Sequence, residues 1–405
     1  MKYIVLVGDG MSGWPIEELN GRTTLESANR YYMDEITKRG RLGIATTIPK
    51  GMTPASDVAN LSIIGYDPLK YYSGRGPLEA ANIGVSLGEH DVAFRCNLVT
   101  EAQGKMVDYS AGHITTKEAV ILIERLNSKL GNERIKFYHG INYRHLLIVK
   151  AKSREEALLL SRIKCIAPHD ITGEAISRNL PQGKERKFLT ELMDKSGKIL
   201  GECDINKVRI DLKENPANSI WLWGQGMKPS MPSFKELYGV SGSIISAVDL
   251  IKGIGKIIGL DVLEVPGATG YYDTNFQGKG EYALKSLKEK DFVFVHVEAP
   301  DEAGHNGDIR EKISAIENFD RFVVGTIWKE FKHRSDFRII VLPDHATPIA
   351  KKTHTRDPIP FVLCGEGIRP DGASVFTEKA ARATGFRMGE GCLLMKRLIG
   401  GAGVS

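Results

Sequence analysis

Three apolar, β-rich runs in this 405-residue chain each end on acidic or histidine residues, and that punctuation constrains the fold more than any other feature. Tyr3-Ile-Val-Leu-Val7 ends on Gly8-Asp9-Gly10. Phe292-Val-Phe-Val-His-Val297 leads to Asp301-Glu-Ala-Gly-His305, and Ile339-Ile-Val-Leu342 leads to Asp344-His345, with His354 shortly after. Short apolar runs bounded in this way predict buried strands. Carboxylates and imidazoles delivered together at strand ends suit Zn, Mn, Co or Mg. The pattern predicts a metal-dependent enzyme.

Helical patterns alternate with the strands, which predicts an α/β fold with a mostly parallel sheet flanked by helices. A helix is expected over 27–38, stopping at Gly40 as a C′ glycine, followed by a strand over 41–48. Thr53-Pro-Ala-Ser-Asp57 opens a short helix that ends near Gly65. From about Pro77 to Gly226 the character changes to short strand-like runs and charged turns such as Pro181-Gln-Gly-Lys-Glu-Arg-Lys187. The expected division is a core of 1–76 and 227–405 with a smaller α+β domain, 77–226, inserted as a cap. An amphipathic helix over 241–259, a strand over 262–265 and a long helix over 308–332 are expected in the second part of the core. Strands over 337–342 and 361–364 follow.

With 42% hydrophobic and 26% charged residues, the chain has ordinary globular composition. A net charge of +5 favours small anionic substrates slightly and falls short of a nucleic-acid footprint. Cys96, Cys165, Cys203, Cys364 and Cys392 are scattered without C-x-x-C spacing, which points away from a disulfide framework and toward a reducing cytoplasm. The five apolar residues before Gly8 are too few for a signal segment, and no apolar run has membrane-spanning length.

Asp301 and His305 are spaced i, i+4, so one helical turn, or a tight loop around Gly304, can aim both at one ion. Asp344 and His345 would diverge on a regular strand but can converge where the backbone turns at its end. His354 sits in the polar loop Thr353-His-Thr355. Taken singly, each piece is better explained as a surface hydrogen bond, a cap or, for Asp9, an Asx turn. Four such pieces at four loops following apolar strands make coincidence a poor account, because ligands bind at strand ends of open α/β sheets. Ser56 is the candidate nucleophile: it lies where a loop enters a helix, so free N–H groups and the helix dipole favour a phosphate there. Its ordinary role would be an N-cap, with Asp57 the stronger candidate for that role.

These motifs, together with Tyr143-Arg-His145, Ala167-Pro-His-Asp170, Gly267-Ala-Thr-Gly270 and Asp273-Thr-Asn275, resemble the alkaline phosphatase superfamily. More narrowly they resemble its archaeal-type cofactor-independent phosphoglycerate mutases, over nearly the whole chain. The resemblance implies two divalent ions, commonly manganese, with zinc, cobalt or magnesium as substitutes, and no need for 2,3-bisphosphoglycerate. One ion would be held by Asp301, His305 and His354, the other by Asp9, Asp344, His345 and the Ser56 oxygen. Ser56 would carry the phosphoryl group between the 3- and 2-hydroxyls of glycerate, while the inserted domain retains glycerate and excludes water. A tri-anionic substrate needs arginines and a proton carrier, so Arg95, Asp108, His113, Arg144, His145, His169, Asp170 and Lys279 are the substrate-binding candidates. Arg75, in Gly74-Arg-Gly76, is either a hinge element or a ligand. A phosphopentomutase or simple phosphatase could share the core and metals. Decarboxylation of phosphonopyruvate gives Ser56 no task, and a non-catalytic metal-binding scaffold would need no nucleophile.

Overall fold

A computed structural model describes residues 1–401. They form two compact units: one comprises Met1–Tyr72 with the chain from Met231 onward, the other Ser73–Ser230. Among the described residues the strands, in chain order, begin with β1 (Lys2–Gly8), β2 (Gly40–Ala45), β3 (Asp91–Ala102), β4 (Lys105–Asp108), β5 (Ile135–Ile141), β6 (Arg144–Lys150) and β7 (Ser219–Met227). They continue with β8 (Gly242–Ile245), β9 (Asp261–Val262), β10 (Phe292–Val297), β11 (Phe337–Leu342), β12 (Ile359–Gly365) and β13 (Arg387–Met388).

The first unit is built on one sheet of order β13-β2-β12-β11-β1-β10-β8-β9. β1 runs parallel to both β10 and β11, β10 to β8, β8 to β9, and β13 to β2. β10 and β11 are buried along their whole length, which explains their mostly apolar sequences, broken only by His296 and Arg338: strands covered on both faces have no solvent side to show. Helices Tyr31–Lys38, Asp249–Ile257, Phe276–Glu289 and Leu393–Gly400 supply cover. Because β1, β10 and β11 point the same way, the residues that follow each of them emerge at one edge of the sheet.

β12 is antiparallel to β11 and to β2. An antiparallel partner needs no crossover helix, so the chain from Pro343 to Pro358 stays at the edge where β11 ends. An isolated bridge between Ala346 and Thr355 ties this loop to itself, and Ala346 bridges Met11 and Ser12 beyond β1. His345 and His354 are thereby kept at the same end of the sheet.

Four local expectations differ from the structure. The expected 27–38 helix is two, Thr24–Ser27 and Tyr31–Lys38, the latter closed by Arg39. Gly40 is therefore not a helix terminator; it opens β2, where a Cβ would sit 2.6 Å from the Leu363 carbonyl oxygen. The segment expected as one helix over 241–259 is β8 followed by Asp249–Ile257, since Gly242–Ile245 pairs with β10 and is buried throughout. The long helix over 308–332 is Ile309–Asn318 and Gly325–Phe331 joined by a π-helical turn, Phe319–Val324.

The Ser73–Ser230 unit is an antiparallel α+β fold. Its sheet runs β4-β3-β6-β5, and the long β3 also pairs with β7. Helices Thr116–Leu130 and Arg186–Gly201 pack against each other and against β5 and β7 respectively. Phe94, Leu98, Leu122, Leu126, Leu147, Leu189 and Trp221 fill the space between these layers. Among the described residues no helix is long and apolar enough to cross a membrane.

Candidate metal centre and seryl nucleophile

The edge where β1, β10 and β11 end gathers Asp9, Asp301, His305, Asp344, His345 and His354 with Ser56 into one cluster. Gly10 makes the approach possible: its φ is +58°, and a Cβ there would fall 2.4 Å from Asp301 Oδ1. Its amide donates to Asp344 Oδ1 at 3.0 Å, so the β1 turn is fixed by the carboxylate at the end of β11.

Asp301 and His305 lie one turn apart on the helix Ala299–Asn306, with His305 Nε2 3.1 Å from Asp301 Oδ2. His354 Nε2 is 3.4 Å from the same oxygen. His305 Nδ1 is 3.0 Å from the Lys352 carbonyl oxygen, and His354 Nδ1 is 3.4 Å from that of Pro54. A carbonyl only accepts, so each Nδ1 carries a hydrogen and each Nε2 is the ring atom turned toward Asp301. Holding the second nitrogen on an acceptor is how proteins orient metal-binding imidazoles.

His345 follows the same rule. Thr347 Oγ1 donates to Asp301 Oδ1 and stands 3.2 Å from His345 Nδ1, leaving Nε2 to face Ser56 Oγ at 3.0 Å and Asp9 Oδ1 at 3.3 Å. Lys312, fully buried, donates to the Thr347 carbonyl and pins this loop; burial pushes its ammonium down to about 8. Asp344 is fully buried, its Oδ2 3.5 Å from His345 Nε2 and 2.7 Å from the donating Asn60 Nδ2.

Ser56 is the first residue of the helix Ser56–Ile63, and its N-cap is Ala55, with no side-chain cap. Neither Ser56 nor Asp57 caps this helix. Asp57 instead accepts from the Tyr72 hydroxyl at 2.6 Å. Asp57 also accepts from the Val58 amide at 3.1 Å, and the positive end of the helix dipole lies at Ser56, where it favours an anion.

The donor set fits divalent ions on its own electrostatics. Burial, then the charges of Asp344 and Asp301, push Asp9 well above the usual carboxylate range. Asp9 Oδ1 is buried without a hydrogen-bond partner. The three buried carboxylates, Asp9, Asp301 and Asp344, repel one another unless a cation stands among them. Groups of donors close enough to share an ion are Asp301/His305/His354, Asp9/Asp301/His345 and Asp9/His296/Asp344.

His296 was missed by sequence reasoning because it lies inside the apolar run of β10 and reads as a core residue. The one signal was an imidazole two residues before the acidic strand end. Asn60 and Glu298 were missed as well.

The remaining candidates divide. In the Ser73–Ser230 unit, Arg95 lies 4.3 Å over the Trp223 ring and pairs with Glu79 at 3.0 Å. Arg75 stands 5.6 Å over the same ring, and His169 lies 5.3 Å from it. His169 also contacts Tyr109, which contacts Tyr143, and Arg144 lies 5.7 Å over Tyr143. Arg75, Arg95, Arg144 and His169 thus collect around one aromatic cluster. Asp170 is exposed beside His169, and His113 is exposed in the turn after β4.

Three candidates are corrected by their surroundings. Both oxygens of Asp108 are taken by Ser110, Gly112 and Asn215, so this carboxylate holds its own turn. His145 alternates with Arg144 along β6 and is buried; its Nδ1 accepts from the Gly140 amide, and burial pushes its pKa down to about 3. Lys279 is fully buried, with its ammonium bonded to Glu298 and the His296 carbonyl rather than open to a phosphate.

Residues 37–206 match the protein-family model described as 2,3-bisphosphoglycerate-independent phosphoglycerate mutase. The chain is 54% identical over 384 residues to the protein of that name from Methanosarcina acetivorans, covering 94% of this chain and 95% of its relative. Its identity to the one from Methanothrix thermoacetophila is 48% over 402 residues, covering 99% and 100%. Among solved structures, a Pyrococcus horikoshii protein superposes with a TM-score of 0.84 at 30% identity, covering 99% of this chain and 97% of the other. The cofactor-independent phosphoglycerate mutase of Thermoplasma acidophilum gives a TM-score of 0.68 at 27% identity over 100% of both chains.

Proposed function

This chain belongs to the 2,3-bisphosphoglycerate-independent phosphoglycerate mutases, and on that premise we propose that Ser56 carries the phosphoryl group between the 3- and 2-hydroxyls of glycerate beside two divalent ions. The observation that carries this reading is the 3.0 Å approach of Ser56 Oγ to His345 Nε2, at a helix N-terminus and among convergent carboxylates. Asp301, His305 and His354 would hold one ion; Asp9, Asp344, His345 and Ser56 Oγ would hold the other. Bound there, divalent ions supply Lewis-acid stabilisation of phosphoryl charge and lower the proton affinity of a nearby hydroxyl. The family resemblance points to manganese, and the mixed carboxylate and imidazole donors also suit zinc, cobalt or magnesium.

The chain's own residues provide the rest. The positive end of the helix that Ser56 opens favours the charged phosphoryl oxygens, and Asn60 and Thr347 keep the carboxylates aimed. The Ser73–Ser230 unit retains glycerate: Arg95 and Arg144 bind its charged groups, and His169 passes protons to and from its hydroxyls. Retention matters because glycerate has to reorient and take back the same phosphoryl group before water does. The free cysteines Cys96, Cys165, Cys203, Cys364 and Cys392 agree with work in a reducing cytoplasm.

The test is conversion of 3-phosphoglycerate to 2-phosphoglycerate without added bisphosphoglycerate, before and after dialysis against a chelator. Activity should disappear with the metal and return with manganese. Undiminished activity in metal-free enzyme would overturn the reading.

A further inference from the structure

His296 closes β10 with its side chain fully buried. Its Nδ1 is 3.3 Å from Glu298 Oε1. Glu298 is kept as a carboxylate by Lys279, whose Nζ lies 2.5 Å from Oε2, and it accepts further hydrogen bonds from Ser246 Oγ at 2.8 Å and the Ala247 amide at 2.7 Å. A carboxylate only accepts, so Nδ1 carries a ring hydrogen, and the Nε2 lone pair is the one left for a cation, whether a proton or a metal ion.

That lone pair faces Asp9 Oδ2 at 3.4 Å and Asp344 Oδ2 at 3.7 Å. Asn60 Nδ2 is 3.3 Å away, but its two hydrogens have nearer acceptors in Asp344 Oδ2 at 2.7 Å and the Ser56 carbonyl at 2.8 Å. A buried lone pair aimed at two carboxylate oxygens is repulsive until a cation enters the space. The spacing decides which cation. A protonated imidazole donating to a carboxylate draws it to about 2.7–2.9 Å. Two donors sharing one ion through bonds of about 2.1 Å stand roughly 3.0–3.4 Å apart at octahedral or tetrahedral angles. The observed gaps match or exceed the second range.

We propose that His296 Nε2 is a metal-bonding atom at the Asp9–Asp344 carboxylate pair, with Glu298 and Lys279 fixing its ring. This rests on the reading of the centre as a site for divalent ions. Asp9 then serves two imidazoles, with Oδ1 toward His345 and Oδ2 toward His296, which accounts for a buried carboxylate whose Oδ1 finds no hydrogen-bond partner. His296 shares its design with His305, His345 and His354: Nδ1 on an acceptor, Nε2 toward carboxylates. Lys279 and Glu298 are positioning residues, acting through the ring.

The experiment uses the full chain loaded with Mn²⁺ alone. An anomalous difference map from its crystals should place an ion within about 0.2 Å of a normal ~2.1 Å bond to His296 Nε2. In solution, His296→Asn should lose one Mn²⁺ per chain or bind it at least tenfold more weakly, with the ion at Asp301, His305 and His354 retained. Glu298→Gln should weaken the same ion about 10–100-fold, the usual effect of removing a carboxylate behind a ligating imidazole. Failure of His296→Asn to fold would leave the map on the unaltered chain to decide. Ions bound at the centre but none bonded to His296, with Mn²⁺ affinity unchanged in the variants, would sink this inference alone. No Mn²⁺ bound by the unaltered chain would sink the two-ion reading with it.

Discussion

His305 Nε2 and His354 Nε2 stand 2.9 Å apart, and both face Asp301 Oδ2. Each ring has its Nδ1 hydrogen committed to a backbone carbonyl, so the two Nε2 atoms, at hydrogen-bond distance, are left to share a proton or an ion. His354→Ala should therefore remove most mutase activity and reduce bound metal, with a change in Tm of only a few degrees, because a half-buried loop imidazole contributes little to packing. Asp344→Ala should do the same to activity, with a larger loss of stability since its oxygens also anchor the Gly10 and His345 amides. Near-normal turnover with full metal content in either variant would contradict the ligand assignment.

Ser56→Ala should abolish isomerisation while still binding both ions, because one hydroxyl is a single donor among several. Mutase assays paired with elemental analysis of the purified variant check both halves. Normal isomerisation by this variant would exclude a phosphoserine route.

Arg144 is exposed on β6 beside Tyr143, and its partner in our reading is substrate rather than protein. Arg144→Ala should lower the mutase rate and raise the ratio of inorganic phosphate released to 2-phosphoglycerate formed, since poorly retained glycerate leaves phosphoserine to water. A lower rate with an unchanged ratio would assign the Ser73–Ser230 unit some other task.

Asp320 gives a pH dependence away from the metal centre. It is buried and accepts from the Tyr32 and Met33 amides at 3.0 and 2.7 Å, and burial pushes its pKa up to about 7. A folded-state pKa above the unfolded value of about 3.9 means that the native state binds the extra proton between those limits, so stability falls as pH rises from about 4 to 7. Asp320→Asn removes that slope. The Tm difference, variant minus unaltered chain, should become more positive from pH 5 to pH 8, by a few degrees. A difference that stays flat or reverses sign would show that the two amides fully offset the cost of the buried charge.

The amino-acid sequence by itself determined the strands that organise the sheet and the acid and histidine residues at their ends. Apolar runs bounded by glycine or aspartate are local signals, and the i, i+4 pair Asp301 and His305 carries its geometry wherever a helix forms. What only the tertiary structure decided depends on partners distant in sequence. β12 turned antiparallel to β11, which holds His354 beside His305. Arg144 and His145 look equivalent in sequence, yet a strand's two-residue period sends one to the surface and buries the other. In sequence His296 reads as a core residue and Lys279 as a candidate for the substrate phosphate. Glu298 joins them in one buried network, because β10 and the helix Phe276–Glu289 bring together residues 17 and 19 positions apart. A side chain's periodicity tells how deeply it is buried, but which polar atom it meets there is set by strand register and by the neighbours that register selects.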